Sequence, residues 1–326
     1  MSKINILITG ANGYIGNCLF NFLKKNFNVS GLDRNNTFNK RIYKCDIMNV
    51  KKFEKILDIT KPKLIVHLAA QSLVDETINE KKYYRNNILA TNVLLDLMER
   101  KKINNIIFSS TASVYKKNTK PLKENSNLQP LSCYAKTKFI CEKDIKKQKR
   151  LNHIILRFFN VCSALSEPLV GELHNPETHL VPTVTYKGLK KKTVYIYGKD
   201  FNTPDGTCIR DYIHIKDICS AIEKSTQYLL GDKKSIIFNI GNNKGLSNKE
   251  IINYTQKMIN NKINLEFVNR RKGDISRLVC NSNKIKKALN WKAKDSNLKK
   301  IIIDEIKWIK KFKKIGLNRK FKNYLK

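Results

Sequence analysis

Tyr134 and Lys138 stand four residues apart in the stretch Ser132-Cys133-Tyr134-Ala135-Lys136-Thr137-Lys138. On a helix that spacing puts a phenol and an ammonium on one face. A nearby cation favours the phenolate, so Lys138 is expected to draw the Tyr134 pKa down from its reference of ~10, towards a range where the phenol serves as base and acid. The chemistry indicated is redox or proton transfer at a hydroxyl. Surface helices also show this spacing by chance. Its weight comes from position, downstream of a glycine-rich strand-turn-helix and of the strand end Phe108-Ser109-Ser110-Thr111.

The elements that must position this pair follow a βα alternation. Lys3–Ile8 reads as a buried parallel strand, and Thr9-Gly10-Ala11-Asn12-Gly13-Tyr14-Ile15-Gly16 leads from it into an apolar periodic helix. Gly10, Gly13 and Gly16 allow a tight turn and close approach of a pyrophosphate to the helix N-terminus. A second strand, Val29–Leu32, ends in Asp33, about 20 residues on, where a carboxylate accepts bonds from an adenosine ribose and repels a 2′-phosphate. NAD is thus favoured over NADP, with Arg34 alongside to soften the preference. Further strands are expected at Ile42–Cys45, Lys63–Leu68, Asn104–Ser110 and His153–Phe158, with helices at Val50–Leu57 and Tyr83–Lys101. Leu68, Ala69 and Ala70 would let a cofactor lie against a strand end, whereas His67 reads as a hydrogen-bonded structural histidine. The helix over Tyr83–Lys101 carries an apolar face wide enough for the sheet and a partner subunit.

In an open parallel sheet, ligands collect at the strand C-terminal ends, so Ser109, Ser110 and Thr111 are candidates for substrate oxygens; turn capping is the alternative for Ser109. Ser132 is placed to cap the helix of Tyr134. From Ser163 the alternation fails, and Val194–Tyr197, Ile209–His214, Ile236–Ile240 and Leu265–Val268 read as strands among helices near Pro182–Leu189, Lys249–Ile259, Lys284–Leu289 and Leu298–Phe312. At least one of these strands is expected to return to the main sheet. Arg210 and Arg271 are assigned to a pyrophosphate because a planar fork suits bidentate phosphate contacts, with solvated salt bridges as the other reading. The fold expected is α/β: a doubly wound parallel sheet of the Rossmann type over residues 1–163, with a smaller C-terminal α/β substrate lobe over 164–326.

The 326 residues hold 64 Lys+Arg against 27 Asp+Glu, a net charge of +37. Such an excess raises nucleic acid or membrane as partners. The lysines lie on nearly every element alongside Asn and Ile, however, which points to compositional bias on solvated faces and at most an attraction for phosphorylated substrates. The eight cysteines form no Cys-x-x-Cys pair, so no metal site or redox disulfide is indicated, and they read as reduced cytosolic thiols. No leader pattern is seen and no apolar run reaches the ~18 residues of a membrane span. The chain is expected in the cytoplasm.

Assembled, these residues resemble the extended short-chain dehydrogenase/reductase (NAD-dependent epimerase/dehydratase) family, and within it the UDP-glucose 4-epimerases. The likeness runs from Thr9-Gly10-x-x-Gly13-Tyr14-Ile15-Gly16 through Phe108–Tyr115, Tyr134-x-x-x-Lys138 and Arg157-Phe158-Phe159-Asn160. It continues in Asp205-Gly206-Thr207-Cys208-Ile209-Arg210-Asp211-Tyr212-Ile213-His214 and Arg270-Arg271-x-Gly273-Asp274. The resemblance implies Tyr134 as catalytic base and acid, Lys138 as anchor of the nicotinamide ribose, and Thr111 as a partner of the sugar hydroxyl. It implies NAD contacts from Tyr14, Ile15, Asp33, Asp46, Ile47, Asn86 and Phe159, and UDP or sugar contacts from Asn160, Arg210, Arg271 and Asp274.

The activity implied is epimerisation at C4 of a UDP-hexose, with glucose and galactose interconverted through a transient 4-keto sugar by a homodimer. Other readings are a UDP-N-acetylglucosamine or UDP-glucuronate 4-epimerase, or a non-catalytic dinucleotide- or RNA-binding member of the fold. Dehydration needs further acid–base groups beside the keto carbon; the related dehydratases carry a carboxylate pair directly after the Thr, where this chain has Ala112 and Ser113. Three departures stand out: Gln71 and Ser72 where the family often has a lysine, His179 where it has an Asn for the diphosphate, and Leu278 at a position that limits sugar size.

Overall fold

The computed structural model describes residues 3–35, 39–73, 79–172, 174, 177–231, 234–271 and 274–314. Strands β1 (Asn5–Thr9), β2 (Asn28–Asp33), β3 (Ile42–Lys44), β4 (Leu64–His67), β5 (Asn105–Thr111) and β6 (Asn152–Phe158) alternate with helices. These are α1 (Tyr14–Leu23), α2 (Val50–Thr60), α3 (Glu80–Tyr83), α4 (Ala90–Arg100) and α5 (Cys133–Lys147). Then follow β7 (Asn160–Cys162), the hairpin β8 (Leu165–Ser166) and β9 (Leu169–Val170), α6 (Leu180–Leu189), β10 (Val194–Tyr197), β11 (Ile209–His214) and α7 (Ile215–Leu230). The chain closes with β12 (Ile236–Ile240), β13 (Gly245–Ser247), α8 (Asn248–Ile259), β14 (Leu265–Val268), β15 (Arg277–Leu278), α9 (Asn283–Leu289) and α10 (Leu298–Lys314).

Among the described residues, seven parallel strands form the main sheet in the order β12-β6-β5-β4-β1-β2-β3. The strands are apolar on both faces because helices cover both. Ile6, Ile8, Leu64 and Val66 pack with α1 and α7 residues such as Leu19, Leu23, Ile218 and Ile222. Leu7, Ile65 and Ile155 pack with Phe53, Leu94 and Cys141 on the opposite side. The strand order reverses at β1, between β2 and β4, so a crevice opens at the C-terminal ends of these strands.

Two features go beyond the sequence pattern. Of the strands after Ser163, Ile236–Ile240 returns to the main sheet beside β6, whereas Ile209–His214 forms a smaller sheet with β7, β13 and β15. β7, although it lies before residue 163, therefore belongs to that smaller sheet. The helix anticipated over Tyr83–Lys101 is interrupted by a π-helical turn at Tyr84–Leu89, a distortion that often marks functional positions. It lets Asn86 line the cleft. Asn87 instead points inward, where it accepts from the Gln71 N–H (2.7 Å) and donates to Thr137 Oγ1 (2.9 Å). Lys272 and Gly273 of the basic turn lie outside the described residues, as does the tail beyond 314.

Candidate active site

The turn between β1 and α1 forms a cradle. Gly10 has φ +71°, and a Cβ there would fall 2.8 Å from the backbone nitrogen of Ala69. A Cβ at Gly16 would fall 2.0 Å from the Gly10 carbonyl oxygen. Glycine is thus what allows the turn to close against both the end of β4 and the first turn of the helix. Gly13 begins α1 with no side-chain cap and no acid in the first turn. The open N–H groups and the positive end of the helix dipole suit an anion.

Asp33, buried at the end of β2, accepts the N–H groups of Asn12 and Asn35, each at 2.9 Å and one per oxygen. Burial would raise the Asp46 carboxyl, but the Met48 N–H (2.9 Å) and Arg85 (3.1 Å) outweigh it and hold the group below the usual carboxylate range. The Tyr14 hydroxyl donates to the Ser163 carbonyl at 2.6 Å. Tyr14, Ile15, Ile47, Leu68, Ala69, Ala70, Asn86 and Phe159 line the same cleft, which has a volume of about 1850 Å³. An uncapped helix end, a glycine turn and a carboxylate with an unused lone pair on each oxygen fit a dinucleotide, so the residues present match NAD.

Tyr134 and Lys138 lie on α5, whose N-terminus is capped by Ser132 through a 3.2 Å bond from the Ala135 N–H. Lys138 is buried, with its ammonium 2.7 Å from the Ser109 carbonyl and 4.6 Å from the centre of the Phe108 ring. Burial brings it down to about 8, against the opposing pull of Cys141 and Glu142. Burial pushes the Tyr134 phenol up to about 12, although a hydrogen bond with Thr111 works the other way. This corrects the expectation that Lys138 draws the phenol down. The ammonium is spent on a carbonyl and a ring face, and desolvation of the phenol dominates.

The hydroxyls of the strand end divide. Thr111 faces the cleft beside Tyr134 and accepts from the Ser113 N–H at 3.1 Å. Ser109 Oγ donates to the His67 carbonyl (3.1 Å) and Ser110 Oγ to Glu142 (2.5 Å), so both hydroxyls are used inside the protein and not on a substrate oxygen. Behind them Glu142 and Arg157 form a fully buried pair, Nε to Oε1 at 2.9 Å and Nη2 to Oε2 at 2.7 Å. Arg157 extends to the Tyr115 hydroxyl (2.9 Å), which donates to Asn239 (2.6 Å). His67 bridges Thr9 and Thr91 at 2.7 and 3.1 Å, and burial with the nearby Lys138 charge lowers it to about 3. It is neutral and structural.

The cleft continues over the smaller lobe, where Asn160, Arg210, Arg271, Asp274 and Leu278 line it. Arg210 donates to the Ile275 carbonyl (2.7 Å) and faces Asp274 at 3.3 Å. Arg271 lies over the Tyr197 ring, 3.9 Å from its centre. Tyr197 escaped the sequence reading because its strand shows only an alternating pattern. The sequence singled out His179 but not Glu172, His174 and Glu177, with which it forms the string Glu172-x-His174-x-x-Glu177-x-His179, whose acid–imidazole spacing was the available signal. His179 contacts Glu172 and is held above the usual imidazole range, at about 9, mainly by that carboxylate. Of the sequence-selected positions, the glycine turn, Asp33, Thr111, Tyr134, Lys138, Arg210 and Arg271 all meet in one cleft.

The sequence pattern of the NAD dependent epimerase/dehydratase family matches residues 6–241. A UDP-glucose 4-epimerase of Rhizobium meliloti (strain 1021) is 33% identical over 305 residues, covering 89% of this chain and 93% of its own. The crystal structure of UDP-glucose 4-epimerase from Brucella ovis in complex with NAD superposes with a TM-score of 0.89 at 28% identity, covering 94% of this chain and 98% of that one. The enzyme from Bifidobacterium longum, in complex with NAD+ and UDP, gives 0.88 at 26% identity, with the same coverage.

Proposed function

The chain belongs to the NAD dependent epimerase/dehydratase family, and from that membership we propose that it is an NAD-dependent UDP-hexose 4-epimerase interconverting UDP-glucose and UDP-galactose. The observation that carries this reading is that Tyr134 and Thr111 line the cleft together, where the dinucleotide cradle meets the arm holding Arg210 and Arg271. Tyr134 takes the proton of the sugar 4-hydroxyl and later returns it, and Thr111 holds that hydroxyl in line. NAD, when bound, supplies the acceptor and donor for the C4 hydrogen and, in its oxidised form, a positively charged ring. A phenol pushed up to about 12 needs such a cation nearby to ionise. Lys138 ties α5 to β5 through the Ser109 carbonyl and, lining the cleft, would hold the nicotinamide ribose. Arg271, stacked on Tyr197, and Arg210 with Asp274 receive the UDP end. A 4-keto sugar tethered by its diphosphate could present the opposite face of its C4 to the cofactor ring without leaving.

The protein is proposed to act as a homodimer in the cytoplasm. Tyr84 and Leu89 of the π-helical turn and Ile140 of the adjoining α5 are exposed apolar side chains on neighbouring helices, and all eight cysteines are free thiols. No helix among the described residues is long and apolar enough to cross a membrane. The test of the activity is a coupled assay. Purified protein given UDP-galactose, without added NAD, is expected to form UDP-glucose; no product even with NAD supplied would rule out the substrate assignment.

A further inference from the structure

Between β9 and α6, four metal-ligand side chains converge apart from the catalytic pair. Glu172, His174, Glu177 and His179 each offer one ligand atom, and all four atoms lie within 4.8 Å of one another. His174 Nδ1 is 2.6 Å from Glu172 Oε1, and His179 Nδ1 touches the same oxygen and stands 3.9 Å from Glu177 Oε1. The two rings meet edge to face with centres 5.3 Å apart. Glu172 is fully buried, while the other three line the cleft, which offers an entry path. We propose that this quartet binds a single divalent transition-metal ion of the zinc, cobalt or nickel class.

The donor set sets the class. Two imidazoles with two carboxylates suit these ions, whereas magnesium and calcium prefer oxygen alone. Each ring nitrogen aimed at the shared carboxylate oxygen can be bridged to it by its own proton, and one ion in the middle would replace those protons and serve all four atoms. Ligands of a tetrahedral ion at ~2.1 Å stand ~3.4 Å apart, a spacing that lies between the 2.6 Å and 3.9 Å pairs and within the 4.8 Å spread of the four atoms.

The surroundings support a cation. Glu305 of α10 is fully buried, and neither of its oxygens has a hydrogen-bond partner among the described residues. Buried carboxyl oxygens left without a partner are costly, and a cation nearby offsets that cost. The backbone of the first ligand is also held in place, because Trp308 Nε1 donates to the Glu172 carbonyl at 2.8 Å. An ion here adds positive charge to the wall that carries Arg271, and so strengthens the hold on a diphosphate. That consequence rests on the UDP-sugar reading; the metal binding does not.

The test uses tag-free full-length protein, stripped with a chelator and titrated with Co2+ while its visible absorption is followed. Equilibrium dialysis with Zn2+ and elemental analysis gives the stoichiometry. A single ion per chain is expected. His174→Gln and Glu177→Gln should each weaken Co2+ binding at least ~10-fold, with unchanged circular dichroism as the check on folding. Wild-type protein that takes up neither ion overturns the proposal, as do folded variants that bind as tightly as wild type. Weaker UDP binding in the histidine variant, with no metal uptake by wild type, assigns the rings to phosphate and also overturns it. Stoichiometric Co2+ binding by a protein that does not turn over UDP-galactose upholds the metal site and removes the epimerase reading.

Discussion

The Lys138 ammonium donates a 2.7 Å hydrogen bond to the backbone carbonyl of Ser109. The helix that carries Tyr134 and the strand that carries Thr111 are thereby joined by a buried charge.

That charge makes stability depend on pH. Burial brings Lys138 down to about 8 in the folded protein from the ordinary lysine value of 10.5, so between those values the unfolded chain binds more protons and stability rises with pH. Below pH 8 the cost of the buried ammonium is fully present. In Lys138→Met this contribution is gone. Urea unfolding at intervals from pH 7 to 10 should therefore show wild type gaining on the variant by an amount on the order of 2–3 kcal/mol.

Tyr134→Phe removes the proton acceptor and keeps the ring. The rate of UDP-galactose conversion should fall at least ~10²-fold, with the melting temperature and the amount of NAD retained unchanged. Conversion at the wild-type rate would show that another group moves the proton.

The Glu142–Arg157 pair has side-chain exposures of 0% and 1%. Removing one partner leaves the other charge buried and unpaired, and Glu142→Ala should cost about 3–5 kcal/mol in denaturant unfolding. Because Ser110 bonds to Glu142, one residue from Thr111, a variant that still folds should also lose turnover.

Gly10→Ala tests the cradle. The substitution strains a backbone at φ +71° and sets a methyl 2.8 Å from the Ala69 nitrogen. A loss of about 1–3 kcal/mol is expected, together with release of NAD on gel filtration under conditions where wild type retains it.

Acid should weaken the smaller lobe. Burial would raise the Asp304 carboxyl, but hydrogen bonds and charge from His214 and Lys300 hold it well below the usual range. Its contribution is present above ~4 and is lost as pH falls from there. Asp304→Asn should therefore flatten the acid limb of a thermal-stability profile.

Much of this was legible in the chain because it depends on neighbours in sequence. Strand β1, the glycine turn and α1 follow from an apolar run, residues without Cβ and a 3.6-residue period. The Ser132 cap and the Tyr134–Lys138 spacing are likewise local. The same local rules could not tell which of Ile209–His214 and Ile236–Ile240 joins the main sheet, since both are short apolar runs of similar composition. Pairing with β6 or with β7 is decided by how the chain packs at long range.

The sequence by itself determined the kind of fold, the nucleotide cradle and the residue types able to move a proton, all consequences of propensity and spacing. Only the tertiary structure decided where each polar group is spent. It turns the Lys138 charge onto a carbonyl, uses Ser109 and Ser110 internally and gathers Glu172, His174, Glu177 and His179 around one point. Desolvation and hydrogen-bond partners belong to the packed environment, and no residue carries them in its own type.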